Sequence, residues 1–380
     1  MTMDRTDAER LEIVTSDARL QEIAGPWMDL WRNVDGLIFQ SHAWVSGWWR
    51  TIPDASRRSL RIGLVWKGDR LLAVAPLAIG RRKGLRFLEW AASSYTDYGD
   101  VLAAPECPAA CLERLWRTIS AMGGYDIAFL NRLQPDAAAH RLIAPAVRAS
   151  TLRPNHRAEE SYRVVGDWAN GAAWLNSQSK KARQNYRRAI KTLEESGDIR
   201  FRLVGDDEPL QPILDRLAAL KRKWLAAHER QSQLFDEGTP ILASLVQALA
   251  DHGLLRIFVL ECNGAIIAVS VNFVQRRTMM AFVTTYDPDF FKGSPGMVLM
   301  MDYIMWSIDQ GLSTVDFLCG AEAFKERLAT RSLKLTSVSG ARTLTGAAMS
   351  LADGLRHKFR NARSGNRPAA SAPEEQAKVA

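Results

Sequence analysis

The stretch Tyr286–Lys325, YDPDFFKGSPGMVLMMDYIMWSIDQGLSTVDFLCGAEAFK, constrains the fold of this chain more than any other. The apolar run Met279–Thr285 before it reads as a buried strand closed by a turn. Ser294 stands where a helix N-cap belongs, Pro295 where the first helical residue belongs, and Gly296 leaves the backbone open. Met297, Met301, Ile304, Met305 and Ile308 recur at helical spacing, and Gly311 supplies the stop. A short strand, Thr314–Leu318, carries Asp316 at its centre, with Gly320 and Lys325 soon after. The order strand, turn, helix, strand sets polar groups at the ends of apolar pieces. A helix N-terminus has unpaired N–H groups and a partial positive charge, which suit a phosphate or diphosphate. Ser-Pro-Gly also starts helices that bind nothing, so spacing alone leaves both readings open.

With 380 residues, two domains and a tail are expected. Hydrophobic residues make up 47% and charged residues 24%, an ordinary globular balance that allows sizeable cores. No uninterrupted apolar run is long enough for a transmembrane helix, and the acidic first twenty residues lack the apolar core of a signal peptide, so a cytoplasmic protein is expected. Cys107 and Cys111 lie one helical turn apart while Cys262 and Cys319 are isolated, which gives neither a CxxC pair nor a disulfide framework. The histidines show no metal-ligand spacing, so no metal site is expected. The net charge of +8 favours anionic partners without choosing among them.

Helical spacing predicts helices over 18–35 and 41–51, the second with Trp44, Trp48 and Trp49 on one face. A hairpin follows, Leu60–Trp66 and Leu71–Ile79 about Gly68-Asp69, and then a strand Leu85–Trp90. The loop Ser93–Asp100 brings Tyr95, Asp97, Tyr98 and Asp100 within reach of one another, which makes Asp97 and Tyr98 candidates for substrate binding. A helix (108–122), a strand (Tyr125–Leu130) and a helix (135–147) complete this half, and 150–175 reads as a connector broken by Pro154 and Gly166. Farther on come a strand Ile199–Leu203, helices over 207–229 and 239–251, and a hairpin of Leu254–Glu261 and Ala265–Phe273 about Asn263-Gly264. Beyond about residue 363 the composition is that of a disordered tail.

Between the halves lies a basic helix. Lys180, Lys181, Arg183, Arg187, Arg188 and Lys191 fall on one side of it, opposite Ala182, Tyr186, Ala189 and Leu193. A solvated face is the ordinary explanation, but such faces usually mix signs. Arg183 and Arg187 are the candidates for binding a phosphorylated donor or acceptor, because arginine meets phosphate bidentately.

The motifs YDPDF…SPG…DFLCG…FK, together with SQSKKARQNYRRAIKTLEESG (Ser177–Gly197), FQSHAWVSGWW (Phe39–Trp49) and SYTDYGD (Ser94–Asp100), resemble the CelD/BcsL-type acetyltransferases. These are a branch of the GNAT superfamily named after cellulose-biosynthesis proteins and similar to the FemAB-type aminoacyltransferases. The resemblance implies an α+β fold of two tandem GNAT-like domains, each a mixed, mostly antiparallel sheet flanked by helices. Their expected bounds are 1–165 and 166–345, with a terminal helix and tail over 346–380. It implies transfer of an acetyl or other acyl group from acyl-CoA to an amine or hydroxyl in exopolysaccharide or cell-envelope biosynthesis. In one place the chain departs from ordinary GNAT enzymes: Lys292-Gly293-Ser294-Pro295-Gly296 replaces the usual Gln/Arg-x-x-Gly-x-Gly/Ala diphosphate loop.

On this reading Gly293, Ser294, Gly296 and Met297 would seat the diphosphate of acetyl-CoA or another acyl-CoA. Tyr286 and Asp287 would act as acid and base, Asp316 would orient the acceptor, and Lys325 would neutralise a phosphate or oxyanion. The implied partners are anionic: CoA, or a nucleotide- or lipid-diphosphate-linked sugar, with peripheral contact to exopolysaccharide machinery and no DNA. Two alternatives stay open, a FemAB-like transferase fed by aminoacyl-tRNA and a non-catalytic accessory protein of a polysaccharide pathway.

Overall fold

The computed structural model describes residues 9–52, 57–155, 159–320 and 322–364, so the composition-based tail lies outside the described residues. The chain forms two compact units. The first takes residues up to Glu159 and again from Lys334, and the second takes Glu160–Leu333.

In the first unit the order is β1 (Glu9–Val14), α1 (Asp17–Glu22), α2 (Ala24–Asn33), α3 (His42–Thr51), β2 (Arg58–Leu60), β3 (Ile62–Lys67) and β4 (Arg70–Ala75). It continues through β5 (Leu77–Arg82), β6 (Leu85–Trp90), β7 (Leu102–Ala103), α4 (Ala109–Met122), β8 (Ile127–Leu133), α5 (Ala139–Arg148) and β9 (Arg153–Pro154). The helix expected over 18–35 is broken at Ile23, which ends α1 and starts α2. The apolar run after Gly68 also divides. Pro76 has no N–H for a ladder, and there the chain leaves a sheet ordered β1-β3-β4-β7 and pairs instead as β2-β5-β6.

The second unit runs β10 (Glu159–Val165), α6 (Gly171–Ser177), α7 (Lys180–Glu194), β11 (Ile199–Leu203), α8 (Leu210–Ala227), α9 (Ile241–Ala250), β12 (Leu255–Cys262) and β13 (Ala265–Gln275). Then come β14 (Thr278–Tyr286), α10 (Pro295–Asp309), β15 (Thr314–Cys319) and α11 (Ala323–Leu328). Next, β16 (Arg331–Ala341) passes back into the first unit, and α12 (Leu344–Ser364) follows. The sheet order is β11-β12-β13-β14-β15-β10, antiparallel throughout except for β14 and β15. The β12–β13 hairpin turns at Asn263 (φ 50) and Gly264 (φ 78), the left-handed pair that such a tight turn requires. The expected connector over 150–175 holds β10 and α6, neither of which its breakers had suggested.

One face of this sheet packs on α10, α7 and α6 through Trp174, Leu193, Phe258, Leu260, Val298, Leu299 and Ile304. Tyr186 on α7 donates its hydroxyl hydrogen bond to the Asp302 carboxylate on α10, which fixes the basic helix against its neighbour. Burial pushes the Asp302 carboxyl up to about 6, against the opposing pull of the Tyr186 hydroxyl, and burial likewise raises the Tyr186 phenol. The native state therefore holds its proton on Asp302 at a pH where the unfolded chain has lost it. Stability should fall as pH rises from about 4 to about 6 and stay lowered above that. We expect Asp302→Asn, which keeps the acceptor for Tyr186, to stabilise the fold by up to about 3 kcal/mol at pH 8 and by nothing at pH 3. Urea denaturation across that range measures it, and an equal gain at both ends would contradict it.

Candidate functional site

The parallel pair at the centre of the second unit is short. β14 and β15 register only at Thr278↔Thr314, Met279↔Val315 and Met280↔Asp316. Beyond Met280 they are unpaired with each other among the described residues, and β14 continues alone to Tyr286. β14 is itself irregular there, because the ladder to β13 skips Phe282 between Ala281 and Val283. The divergence of β15 has a visible cause. Between Arg163↔Asp316 and Ser161↔Cys319 the ladder advances two residues along β10 and three along β15, a β-bulge. Its extra residue, Leu318, takes the left-handed conformation (φ 58), which is costly for a side chain with a Cβ. Asp316 offsets that cost: one carboxylate oxygen accepts from Leu318 N–H at 2.8 Å and the other lies 2.9 Å from Arg163 Nε. Asp316 is only 1% exposed, so the arginine is what keeps the buried charge tolerable.

The open edge of β14 leads straight into a loop and a helix N-terminus. Asp287 accepts from Asp289 N–H at 3.1 Å, capping the 3₁₀ turn Pro288–Gly293. Lys223 Nζ lies 2.6 Å from Asp287 and 2.6 Å from Asp289, and Arg216 lies 3.4 Å from Asp287, so α8 holds the turn from outside. Burial opposes the charge on Asp287, but Lys223, the Asp289 N–H and Arg216 together hold its carboxyl below the usual range. Ser294 is the N-cap in the left-handed region (φ 46), without the side-chain capping bond expected of it. Its carbonyl accepts from Met297 and Val298, Pro295 has no N–H, and so the Gly296 N–H is left without a protein partner among the described residues.

The glycines of this loop are set by close approach. A Cβ on Gly293 would lie 2.4 Å from Leu193 Cδ2, so the bare backbone is what lets α7 seat there. A Cβ on Gly296 would lie 2.9 Å from the Tyr286 ring, which covers the first turn of α10, and Met297 is half-buried beside it.

Past β15, Lys325 is fully buried, with Nζ 2.7 Å from the Cys319 carbonyl and 2.8 Å from Glu322. A second buried cation, Lys221 on α8, places its ammonium 4.7 Å from the Trp224 ring and feels the same Glu322 carboxylate. Burial brings this lysine down to about 7, with Glu322 raising it and Arg230 lowering it. In sequence Lys221 sits in a KRKW run that looks solvent-exposed, but Leu214, Leu217 and Trp224 share its helical face, and that spacing was the available signal.

The structure thus gathers Tyr286, Asp287, Gly293, Ser294, Gly296 and Met297 at one end of β14, and places Asp316 and Lys325 along and after β15. Three of the other four candidates serve the packing of their own unit. Arg183 donates to the Asn176 and Gln178 carbonyls across the α6–α7 turn, whereas Arg187 is exposed. Asp97 is 4% and Tyr98 1% exposed, inside the first unit.

The first unit carries the same device in another state. β6 and β8 pair in parallel only at Phe87↔Ile127 and Leu88↔Ala128, and β8 has a bulge whose left-handed residue is Arg132 (φ 58). Here the gap is filled. The Trp90 indole donates to the Asn131 carbonyl at 3.0 Å, Gly99 N–H to the Arg132 carbonyl at 3.1 Å, and the Arg132 guanidinium to the Thr96 carbonyl at 2.7 Å. A Cβ on Gly99 would fall 2.0 Å from the Trp90 nitrogen, which leaves no room for a ligand chain.

Lys221 allows a test of how much this region is strained by its charges. The unfolded lysine stays protonated up to about pH 10, whereas in the fold it gives up its proton near 7. The native state therefore loses stability as pH falls from about 10 to about 7 and remains penalised below. Lys221→Met should be neutral above about pH 10 and stabilising below about pH 7, with an upper limit of about 5 kcal/mol. Chemical denaturation at the two pH extremes reads this directly, and a variant less stable at neutral pH would contradict it.

Residues 180–326 match the model of the Acetyltransferase (GNAT) domain family, a span that runs from the start of α7 into α11. Among solved structures, the C-terminal DUF2156 domain of an Agrobacterium fabrum protein assigned as a lysylphosphatidylglycerol synthetase is 14% identical with a TM-score of 0.55, over 88% of this chain and 96% of that one. FemX is 11% identical with a TM-score of 0.54, over 86% and 96%, and L-PGS from Bacillus licheniformis is 12% identical with a TM-score of 0.52, over 88% and 95%. No protein of curated function matches the sequence. The fold is a GNAT-like α+β fold in which each unit has a mixed, mostly antiparallel sheet flanked by helices.

Proposed function

We propose that the protein is an acyltransferase that moves an acetyl or other acyl group from acyl-CoA to an amine or hydroxyl, with its donor site in the second unit. The observation that carries this reading is the open β14–β15 pair, in which β14 runs on past its last pairing with β15 toward the helix N-terminus at Ser294–Met297. The edge can hydrogen-bond the amide-bearing arm of CoA as a strand would. The Gly296 N–H and the α10 dipole favour its diphosphate. The acceptor nitrogen or oxygen attacks the thioester carbonyl carbon. The carbon–sulfur bond then breaks, the sulfur leaves with a proton, and the acceptor gives up one. Tyr286, half-buried at the end of β14, is the proposed donor of the proton to sulfur. Asp287 and Asp316 are already held by cations, and we assign them to positioning the loop and the strand kink. Lys325 supplies positive charge past the end of β15 for the developing oxyanion. The CelD/BcsL-like motifs support an acceptor in exopolysaccharide or envelope biosynthesis.

Titration calorimetry with acetyl-CoA tests the donor. One molecule is expected per chain, because the gap of the first unit is filled by Trp90 and Arg132. Ser294→Asp should lower affinity at least about tenfold, since its carboxylate repels the diphosphate. It should leave thermal stability unchanged or raised, because Asp is a good N-cap. Absence of binding at millimolar acetyl-CoA would overturn the CoA assignment and turn attention to aminoacyl-tRNA. Unaltered affinity in Ser294→Asp would move the diphosphate elsewhere.

A further inference from the structure

The outward face of α7 carries exposed cations, with no acidic residue between Lys180 and Lys191. Arginines elsewhere are largely spent internally: Arg58 and Arg82 on Glu89, Arg86 on Asp126, Arg163 on Asp316, and Arg202 on Glu208 and Glu261. On α7 the side chains of Lys180, Lys181, Arg187, Arg188 and Lys191 are all exposed, and none has an ion-pair partner among the described residues. Arg188 reaches only the neutral Asn185 on its own helix, and the acidic residues Glu194 and Glu195 come only where the helix ends. At 100° per residue these cations occupy roughly 120° of the circumference, opposite the stripe Ala182, Tyr186, Ala189, Ile190 and Leu193. From Lys180 to Lys191 they extend about 17 Å along the axis.

That arrangement limits the partner. Cations spread along a convex helix do not converge on one point, so a small phosphorylated ligand could engage only a fraction of them. Sites that track single-stranded nucleic acid are grooves rather than ridges. A flat anionic surface meets the whole arc at once, as it does for amphipathic helices lying on lipid headgroups. A second feature favours lipid over any purely ionic partner. Phe291 is 62% exposed, next to exposed Lys292, on the 3₁₀ turn against which α7 packs through Leu193 and Gly293. A large exposed aromatic beside unpaired cations suits the boundary between headgroups and acyl chains. No helix among the described residues is long and apolar enough to cross a membrane, so the contact is one of surface adsorption.

We propose that the α7 face docks the protein on an anionic lipid bilayer, with Phe291 of the adjoining 3₁₀ turn as a second contact. This inference is independent of the acyl-transfer reading.

Sedimentation of the full chain with vesicles tests it, comparing phosphatidylcholine alone with phosphatidylcholine containing phosphatidylglycerol. Binding is expected only to the anionic vesicles and should be lost in high salt. Each charge removed should weaken partitioning about fivefold. The combined variant Lys180→Gln, Lys181→Gln, Arg187→Gln, Arg188→Gln, Lys191→Gln should therefore release the protein. Phe291→Ser should weaken binding at low salt while leaving the salt dependence in place. All these side chains are exposed, and circular dichroism should show an unchanged fold. Equal binding to neutral vesicles, none to anionic vesicles, or full retention by the combined variant would overturn the proposal. So would tighter, α7-dependent binding of a duplex oligonucleotide with no vesicle binding.

Discussion

The architecture of the second unit depends on one buried carboxylate. Asp316 ties down a left-handed leucine with one oxygen and forms an ion pair with Arg163 through the other. Without the first contact, Leu318 would relax into the extended region, and the side-chain steric cost it now carries would no longer hold the kink. Without the second, an ionised aspartate at 1% exposure would have no counter-charge from β10. Together they insert one extra residue into β15 and turn it away from β14. The gap, the stretch of β14 that β15 leaves and its run into α10 all follow from that turn.

The same bulge appears in the first unit at Arg132, and there its consequence is opposite. A long side chain at the left-handed position lets the guanidinium reach back to the Thr96 carbonyl, and Trp90 adds an indole hydrogen bond across the divergence. Burying the indole and satisfying these carbonyls is the ordinary way to close such a gap. The second unit has Leu at the equivalent bend and Tyr286 at the end of its strand. Two copies of one geometric device thus divide the work between packing and an open edge.

Much of this was legible from local chemistry. Asn263-Gly264 between apolar runs announces its hairpin, Ser294-Pro295 and Gly311 bracket α10, and Lys180–Glu194 has a clear two-sided helical pattern. What escaped is what depends on distant partners. Arg163 lies in a segment whose Pro154 and Gly166 look like breakers, so neither β10 nor its pairing with Asp316 could be foreseen. Nothing in a leucine signals φ 58, since that conformation is imposed by a ladder whose other strand is more than 150 residues away. β1 went unread because its charged residues, including Glu9, Arg10 and Glu12, leave only Val14 buried. Pro76 was visible, but local reading could not show that it sends one apolar run into two sheets.

The charges around the open gap carry a further consequence for chemistry. Asp287 is held by Lys223 and Arg216, Asp316 by Arg163, and Lys325 by Glu322 and a carbonyl. Each ionised group near the strand ends is therefore already committed, and recruiting one as a proton carrier would leave a buried counter-charge unpaired at a cost of several kcal/mol. Other groups there are of another kind: the stretch of β14 that β15 leaves, the Gly296 N–H and the Tyr286 ring beside it. A site built this way favours reactions whose barrier falls chiefly through alignment of two bound substrates and backbone stabilisation of a forming oxyanion. Aminolysis of a thioester is such a reaction. Its leaving thiolate is stable and its nucleophile needs no strong base once an amine arrives unprotonated. The ion pairs then act as the frame of the site, and their value lies in keeping the edge of β14 open.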